Sequence, residues 1–267
     1  MGLTKRLDEA RKAYARKDLA ASRRAHSPAA IAQAAEAHGG ASHQYIGDLV
    51  YGGLDGIVTT FAIVSGVAGA ALGAGVILIL GLANLLADGL SMAAGAYLSA
   101  KSEREYYERE REREAWEIEH SPEGEKAEMV TLYRARGYSE DDAKKLADIL
   151  SQDEERWVDE MMVQELGLLL DERTPWRSAL ATFGAFQVAG SVPLLVYLVG
   201  LVVAVDPAVS FAVSLALSAL ALFGLGAAKV FITERSWFRS GLEMLLVGGV
   251  AAAVAYLVGA VLTGLGG

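Results

Sequence analysis

The chain has 267 residues, of which 53% are hydrophobic, and its mean hydropathy is +0.30. That balance excludes an ordinary soluble domain of this size. The formal net charge of −9 gives no reason to expect nucleic-acid binding, and the lack of cysteine excludes disulfides, thiolate metal sites and cysteine nucleophiles.

Residues 1–44 form a basic arm at the start of the chain. The arm is charged and has no short apolar core, so it is not a cleavable signal peptide. Its sequence predicts two short amphipathic or alanine-rich helices, with Ser27-Pro28 as a helix start and Gly39-Gly40 as a stop. Two interpretations stay open, an arm that lies on anionic lipid headgroups and a solvated tail.

Five windows of about 18 or more mostly apolar residues follow, each about long enough to cross a bilayer. They lie near 49–72, 76–100, 178–205, 208–232 and 241–264. We therefore predict an all-α polytopic membrane protein with five transmembrane helices, the third of them kinked at Pro193. The predicted domains are the arm (1–44), the first two spans (45–100), an acidic insertion (101–174) and the last three spans (175–267).

The distribution of lysine and arginine predicts the orientation in the membrane. All of these residues lie before Asp48, between Lys101 and Arg177, or between Lys229 and Arg239, and the other connections carry none. We expect the N-terminus, the insertion and the connection before the fifth span to be cytoplasmic, and the C-terminus to lie outside.

The first predicted span contains a carboxylate, Asp55, about two turns in from its cytoplasmic edge. A charge at that depth costs roughly 2.5–3.5 kcal/mol on insertion scales, so it should face a partner or a wet cavity. Thr59 lies one turn further in. We expect both residues to line an ion pathway rather than only to pack.

The second predicted span places Asn84, Asp88 and Met92 at four-residue spacing, hence on one stripe of a helix. In an antiparallel pair, Met92 should sit at a depth similar to that of Asp55. A carboxylate and a thioether at one level can bind a borderline divalent ion such as Fe²⁺. A methionine that only packs is the competing interpretation.

The insertion is predicted to be a bundle of about three helices. The second span should continue unbroken to His120, where Ser121-Pro122 starts another helix. Ser139 and Asp142 form a capping box for a third helix. A lone histidine at a helix end such as His120 is more often a cap than a metal ligand.

The insertion is strongly acidic, with 23 Asp or Glu against 13 Lys or Arg between Lys101 and Arg177. Up to Arg113 the charges fit a solvated helix with ion pairs between neighbouring turns. The expected pairs are Glu105–Arg109, Glu108–Arg111 and Glu110–Arg113. From there to Lys126 only carboxylates follow, and their repulsion favours a bound divalent cation.

Pairs of donors three or four residues apart predict the metal ligands of this insertion, because each pair shares a helix face. Carboxylates with methionine neighbours suit Fe²⁺, Mn²⁺, Co²⁺ or Zn²⁺. The candidate ligands are Glu114, Glu117, Glu125, Glu128, Met161, Met162 and Glu165.

Three strings of the sequence carry a resemblance to a known family. They are YGGLDGIVTTFAIVSG, ANLLADGLSMAAGAYLS and KSEREYYERE. They resemble the vacuolar iron transporter family, over about residues 45–265. The resemblance implies a five-span homodimer that exchanges cytoplasmic Fe²⁺, and often Mn²⁺, for protons, with an ion path between the subunits. It assigns the path to Asp55 and Met92 and metal binding to the candidate ligands above; plant members carry a Glu at the position of Ala96.

The sequence therefore favours a transporter that moves cytoplasmic Fe²⁺ outward, with protons as the second ion and no permanently bound cofactor. We favour the plasma membrane of a prokaryote over a vacuolar membrane. A membrane-anchored metal-binding or sensing protein without transport is the alternative. An enzyme is not expected, because a di-iron oxidase needs Glu-x-x-His pairs and the chain offers only Glu117 with His120.

Overall fold

The computed structural model describes residues 5–32, 45–171, 173–229 and 236–265, and within these ranges the chain forms helices and no strand. The α-helices in chain order are α1 (Lys5–Arg16), α2 (Leu19–Ala25), α3 (Pro28–Ala32), α4 (Ile46–Gly69), α5 (Ala74–His120), α6 (Pro122–Ala135), α7 (Glu140–Leu150), α8 (Glu154–Gln164), α9 (Pro175–Ser191), α10 (Leu195–Val199), α11 (Pro207–Ala228) and α12 (Trp237–Leu265). Within residues 5–32 the arm has three short helices, where we expected two over the whole arm. The stop predicted at Gly39-Gly40 lies outside the described residues.

The chain divides into two compact units, one of residues 1–95 and 176–267 and the other of residues 96–175. Among the described residues, five helical segments are long and apolar enough to cross a membrane. They are Ile46–Gly69, the apolar part of Ala74–His120, Pro175–Val199, Pro207–Ala228 and Trp237–Gly264. The predicted all-α architecture with five membrane-spanning helices is confirmed.

Helix α4 packs closely on its neighbours because glycines face them. A Cβ added at Gly52 would lie 2.5 Å from the carbonyl oxygen of Thr182, and one at Gly56 would lie 2.5 Å from that of Phe186. Between apolar helices in lipid, such close backbone approach supplies the van der Waals contact that holds the helices together. The glycines of the first span therefore fix α4 against α9.

The third span is interrupted at the predicted place. Helix α9 ends at Ser191, a 3₁₀ turn covers Val192–Leu194, and α10 continues the span. Proline lacks the amide hydrogen that a helix needs, so the ladder of hydrogen bonds cannot pass through Pro193. The hydroxyl of Ser214 on α11 donates to the carbonyl oxygen of Pro193 at 2.7 Å. This buried hydrogen bond satisfies one acceptor at the break in the helix.

The second unit contains the end of α5 together with α6, α7 and α8. Helix α5 is continuous to His120, as predicted. Ser139 caps α7, because its hydroxyl accepts from the Asp142 amide at 3.2 Å, and the same hydroxyl donates to the Asp142 carboxylate at 2.8 Å. The third predicted helix is instead two helices. Asp153 caps α8 by accepting from the Arg156 amide at 2.9 Å, so a new helix starts after a short turn.

An apolar core holds these helices together. Its buried members are Ile118, Met129, Tyr133, Ala143, Ala147, Trp157, Val158, Met161 and Met162. Because they come from all four helices, the core fixes the positions from which the carboxylates of the next section project.

Candidate metal site

Three carboxylates from three helices converge in the second unit. Glu114 lies on α5, Glu125 on α6, and Glu165 directly follows α8 as its C-terminal cap. One carboxylate oxygen from each lies within 4.8 Å of the others. Oxygen atoms at these separations can ligate one divalent cation after small side-chain movements. We call these three residues the carboxylate cluster.

Two members of the carboxylate cluster are buried and incompletely paired. Glu114 is 0% exposed and Glu125 is 7% exposed. The Oε2 atom of each is buried and has no hydrogen-bond partner. A buried carboxylate oxygen without a donor is costly unless a cation or a proton compensates it. The two orphaned atoms are thus an indication of a ligand that is independent of the acidic composition.

The electrostatics of the carboxylate cluster favour protonated side chains when no metal is bound. Burial, followed by repulsion from Glu165, raises the pKa of Glu114 to about 7. Burial, followed by repulsion from Glu128, raises the pKa of Glu125 to about 7. The same two causes raise the pKa of Glu165. Protons and a divalent cation would therefore compete for the same oxygens near neutral pH.

Two further predicted ligands, Glu117 and Glu128, lie beside the carboxylate cluster. Glu128 lines a cleft of about 530 Å³ together with Glu165. Glu117 is instead bound by a guanidinium, because Arg113 Nη1 donates to its Oε2 at 2.5 Å. The structure thus brings Glu114, Glu125 and Glu165 together, and it leaves Glu117 held by a neighbouring arginine.

Met161 and Met162 are fully buried in the apolar core of the second unit. This burial suits packing against the other helices of the second unit. His120 ends α5, where its Nδ1 donates to the Trp116 carbonyl oxygen at 2.8 Å and its ring stacks on the indole at 4.4 Å. These contacts agree with the capping interpretation of His120.

The predicted pathway residues of the membrane-spanning helices form a small polar group between α4 and α5. Asn84 Nδ2 donates to Thr59 Oγ1 at 3.3 Å, and that hydroxyl donates to the Asp55 carbonyl oxygen at 2.8 Å. One turn from this contact along each antiparallel helix, Asp55 and Asp88 lie close enough for their charges to interact.

The level of Met92 differs from our expectation. The contact between Thr59 and Asn84 places Asp88 at the depth of Asp55, and Met92 lies one further turn along α5. Met92 packs on the apolar core of the first unit, which includes Phe186 and Leu85. Side-chain register between two helices depends on packing, and residue counts from the span ends fix it only to about one turn.

A family model described as the VIT family matches residues 46–260. The chain belongs to the VIT family. It is 40% identical over 267 residues to a protein named vacuolar iron transporter from Toxoplasma gondii, with 96% of this chain and 88% of that protein covered. It is 34% identical over 270 residues to the protein of that name from Plasmodium falciparum, with 97% of each covered.

A plant member of the VIT family is also similar. The chain is 34% identical over 214 residues to vacuolar iron transporter 1 from Eucalyptus grandis, with 80% of this chain and 84% of that protein covered. The two apicomplexan matches extend over nearly the whole chain, so they include most of the N-terminal arm. The chain spans more than four fifths of the length of each of these relatives.

Two details of this VIT family member correct the ion pairs expected from spacing. Glu105 pairs with Lys101 and Glu108 with Arg104, each one turn toward the N-terminus of α5 rather than toward its C-terminus. Spacing alone allows both directions, and the side-chain rotamers choose between them.

The more important correction concerns Arg113, because the carboxylates after it are not all uncompensated. Arg113 pairs with Glu114 at 2.7 Å and with Glu117 at 2.5 Å, as well as with Glu110 at 3.1 Å. The four-residue spacing of Arg113 and Glu117 was the available signal. Asp159 binds Arg111, which is 48 residues away and outside the reach of local patterns.

Proposed function

We propose that this VIT family protein carries Fe²⁺ out of the cytoplasm in exchange for protons. The observation that carries the proposal is the carboxylate cluster. In it, carboxylates from α5, α6 and the C-terminal cap of α8 converge, and two buried carboxylate oxygens have no hydrogen-bond partner. The relatives named above are iron transporters by name, which supports iron as the substrate and a transporter rather than an enzyme.

The carboxylate cluster is proposed to collect the metal ion. Its oxygens suit Fe²⁺ and equally Mn²⁺, Co²⁺ or Zn²⁺. Glu117, Glu128, Met161 and Met162 are proposed to complete the coordination when the metal is bound. The sulfur ligands would favour transition metals over Mg²⁺ and Ca²⁺, which prefer oxygen alone.

The polar group between α4 and α5 is proposed to carry the ion through the membrane. Asp55 and Asp88 supply charge, Thr59 and Asn84 supply neutral oxygen atoms, and Met92 supplies a thioether. When the ion leaves, two neighbouring carboxylates in a poorly hydrated place would take up protons, because their charges are costly there. This exchange is the proposed physical basis of proton antiport.

The same polar group supports a homodimer. Asp55, Thr59, Asn84, Asp88 and Met92 are all partly exposed in the single chain. Polar side chains on a membrane helix are normally covered by protein or face water. A second copy that packs on α4 and α5 would cover them and enclose the proposed pathway between two subunits.

The distribution of lysine and arginine supports the proposed orientation. We propose that the N-terminus and the second unit face the cytoplasm and that the C-terminus lies outside. We propose the plasma membrane of a prokaryote as the location.

The deciding experiment is Fe²⁺ flux into proteoliposomes with and without a pH gradient. Wild type should show gradient-driven uptake, and Asp55→Asn should lose it. Asp206→Asn is the matched control, because it makes the same chemical change at the cap of α11, where asparagine caps equally well. Metal binding without flux in wild type would contradict the transporter and favour a membrane-anchored sensor.

A further inference from the structure

Arg113 lies at the edge of the carboxylate cluster with a fixed set of partners. Its three guanidinium nitrogens each donate to a different carboxylate: Nη2 to Glu114 Oε1 at 2.7 Å, Nη1 to Glu117 Oε2 at 2.5 Å, and Nε to Glu110 Oε2 at 3.1 Å. Two of these three carboxylates are proposed metal ligands. The arginine therefore occupies one oxygen of each of these two ligands, Oε1 of Glu114 and Oε2 of Glu117, and leaves the buried Oε2 of Glu114 unpaired.

The charge of Arg113 also reaches the other members of the cluster. Its positive charge stabilises the ionised forms of Glu125 and Glu165 and so partly offsets the repulsion between the carboxylates. A divalent cation at the centre of the carboxylate cluster would have the same effect with twice the charge. The guanidinium and the metal ion would then repel each other across a few ångströms.

The surroundings of Arg113 allow its guanidinium to move. Its side chain is 40% exposed, whereas Glu114 is fully buried on the opposite side of the same contact. Glu110, one turn back on α5, already accepts from Arg113 and also from Arg109 at 2.6 Å. The arginine can therefore release Glu114 and Glu117 toward the metal and still keep one carboxylate partner.

We propose that Arg113 is a competitor of the metal ion: in the metal-free protein it holds one oxygen of Glu114 and one of Glu117, and its positive charge opposes a cation at the carboxylate cluster. This inference rests on the proposed function of the carboxylate cluster. It implies that metal affinity is held below the maximum that five carboxylates could give. A transporter gains from this limit, because an ion bound too tightly is not passed on.

A different role would give the opposite result. If Arg113 only oriented Glu114 for the metal, its removal would weaken binding, as the loss of an outer partner of a metal ligand usually does. If Arg113 competes, its removal destabilises the metal-free state and strengthens binding. The sign of the change in affinity therefore separates the two roles.

The test is Co²⁺ titration calorimetry of the full-length protein in detergent, with Co²⁺ as an air-stable probe. Arg113→Gln should bind Co²⁺ roughly tenfold more tightly than wild type. Arg109→Gln is the matched control, because it removes the same charge from the same helix, where Arg109 pairs with Glu110 and lies over the Tyr106 ring, away from the carboxylate cluster's three members. Its Kd should stay within about twofold of wild type.

A second readout separates competition from a general loss of structure. Arg113→Gln should lower the thermal stability of the second unit without metal and leave the metal-saturated stability unchanged. Arg113→Lys keeps the charge but loses the three-way contact, so its Kd should fall between those of wild type and Arg113→Gln.

Each outcome bears on the inference. Weaker or equal binding by Arg113→Gln, or equal tightening by Arg109→Gln, would overturn the competitor role and leave the metal site intact. No Co²⁺ binding by wild type would overturn the proposed site itself and, with it, the inference. If Arg113→Gln does not fold, the affinity of Arg113→Lys decides, and a Kd at or above that of wild type would count against competition.

Discussion

The carboxyl groups of Glu114 and Glu125 link metal binding most closely to pH. Each has a buried oxygen without a partner, and burial raises the pKa of each to about 7. A carboxyl with such a pKa is half protonated at the pH of most cells. It can exchange a proton for a metal ion without a large change in conformation.

Metal affinity should therefore rise with pH. Between pH 6 and pH 8 the two carboxyls lose their protons, so a metal ion no longer has to displace them, and the apparent Kd should fall by roughly tenfold or more. Co²⁺ titrations in two buffers of different ionisation enthalpy would measure both the affinity and the protons released. An affinity that is the same at both pH values would contradict the assignment.

The metal-free protein should become less stable as the pH rises. The folded-state pKa of about 7 exceeds the ordinary value of 4.5, so the folded state binds more protons than the unfolded state between these values. The contribution of these two groups to the stability of the fold is greatest below about pH 4.5 and is lost as the pH rises through about 7. Amide hydrogen exchange of α6 and α8 at pH 5 and pH 8, corrected for the intrinsic rates, would measure the loss.

Replacing one buried carboxyl by a neutral group of the same shape should remove part of the loss of stability at high pH. We expect Glu114→Gln to stabilise the metal-free second unit at pH 8 by about 1–3 kcal/mol and to abolish tight metal binding. Glu112→Gln, an exposed neighbour on α5, is the control and should change neither property. A destabilised Glu114→Gln would show that the charged form is the one the fold requires.

At the scale of secondary-structure elements, the contact of α4 with α9 depends on the absence of side chains. A Cβ at Gly56 would meet the backbone of Phe186, which cannot rotate away, whereas one at Gly47 would have nothing within 4 Å. Gly56→Ala should thus destabilise the protein by about 1–3 kcal/mol, while Gly47→Ala should be neutral. Thermal unfolding in one detergent compares them, and an equal effect at both positions would argue against close α4–α9 packing.

The elements differ in how well the sequence predicts them. The spans, the proline break and the Ser139 cap depend on local composition, so they were correctly placed. The split between α7 and α8 was missed, because Asp153 sits in a run of residues with high helix propensity, where a cap and an interior acidic residue look alike. The register that brings Asp88 to the level of Asp55 was missed, because it depends on side-chain packing between helices.

In the candidate site, too, the sequence predicts features that depend on local composition and misses features that depend on packing between helices. Glu114 and Glu125 stood out in the sequence because carboxylates accumulate there without lysine or arginine. Their burial and convergence with Glu165 depend on contacts over 40 residues of chain, which no local pattern contains. Arg113 was assigned to a solvated ion pair with Glu110; its spacing also allowed the pair with Glu117, but its contact with the adjacent, buried Glu114 is visible only in the three-dimensional arrangement.

At the scale of the whole molecule, the lack of native cysteine allows the proposed orientation to be tested directly. A cysteine at Lys145, which is exposed in the second unit, should react with an impermeant maleimide only after cells are opened. A cysteine at Val202, 88% exposed between α10 and α11, should react in intact cells. The reverse pattern would place the second unit outside the cell and contradict export from the cytoplasm.

The positions of Glu114, Glu125 and Glu165 along the chain have a mechanical consequence. These residues come from α5, α6 and the end of α8, so one ion bound to all three would join segments separated by about 40 residues of chain. An ion that binds the folded unit and not the unfolded chain stabilises the fold by mass action, and within the folded unit it restrains these segments relative to one another. The cargo would then serve as a temporary cross-link, and the second unit would be stiffer while loaded than after it has delivered the ion.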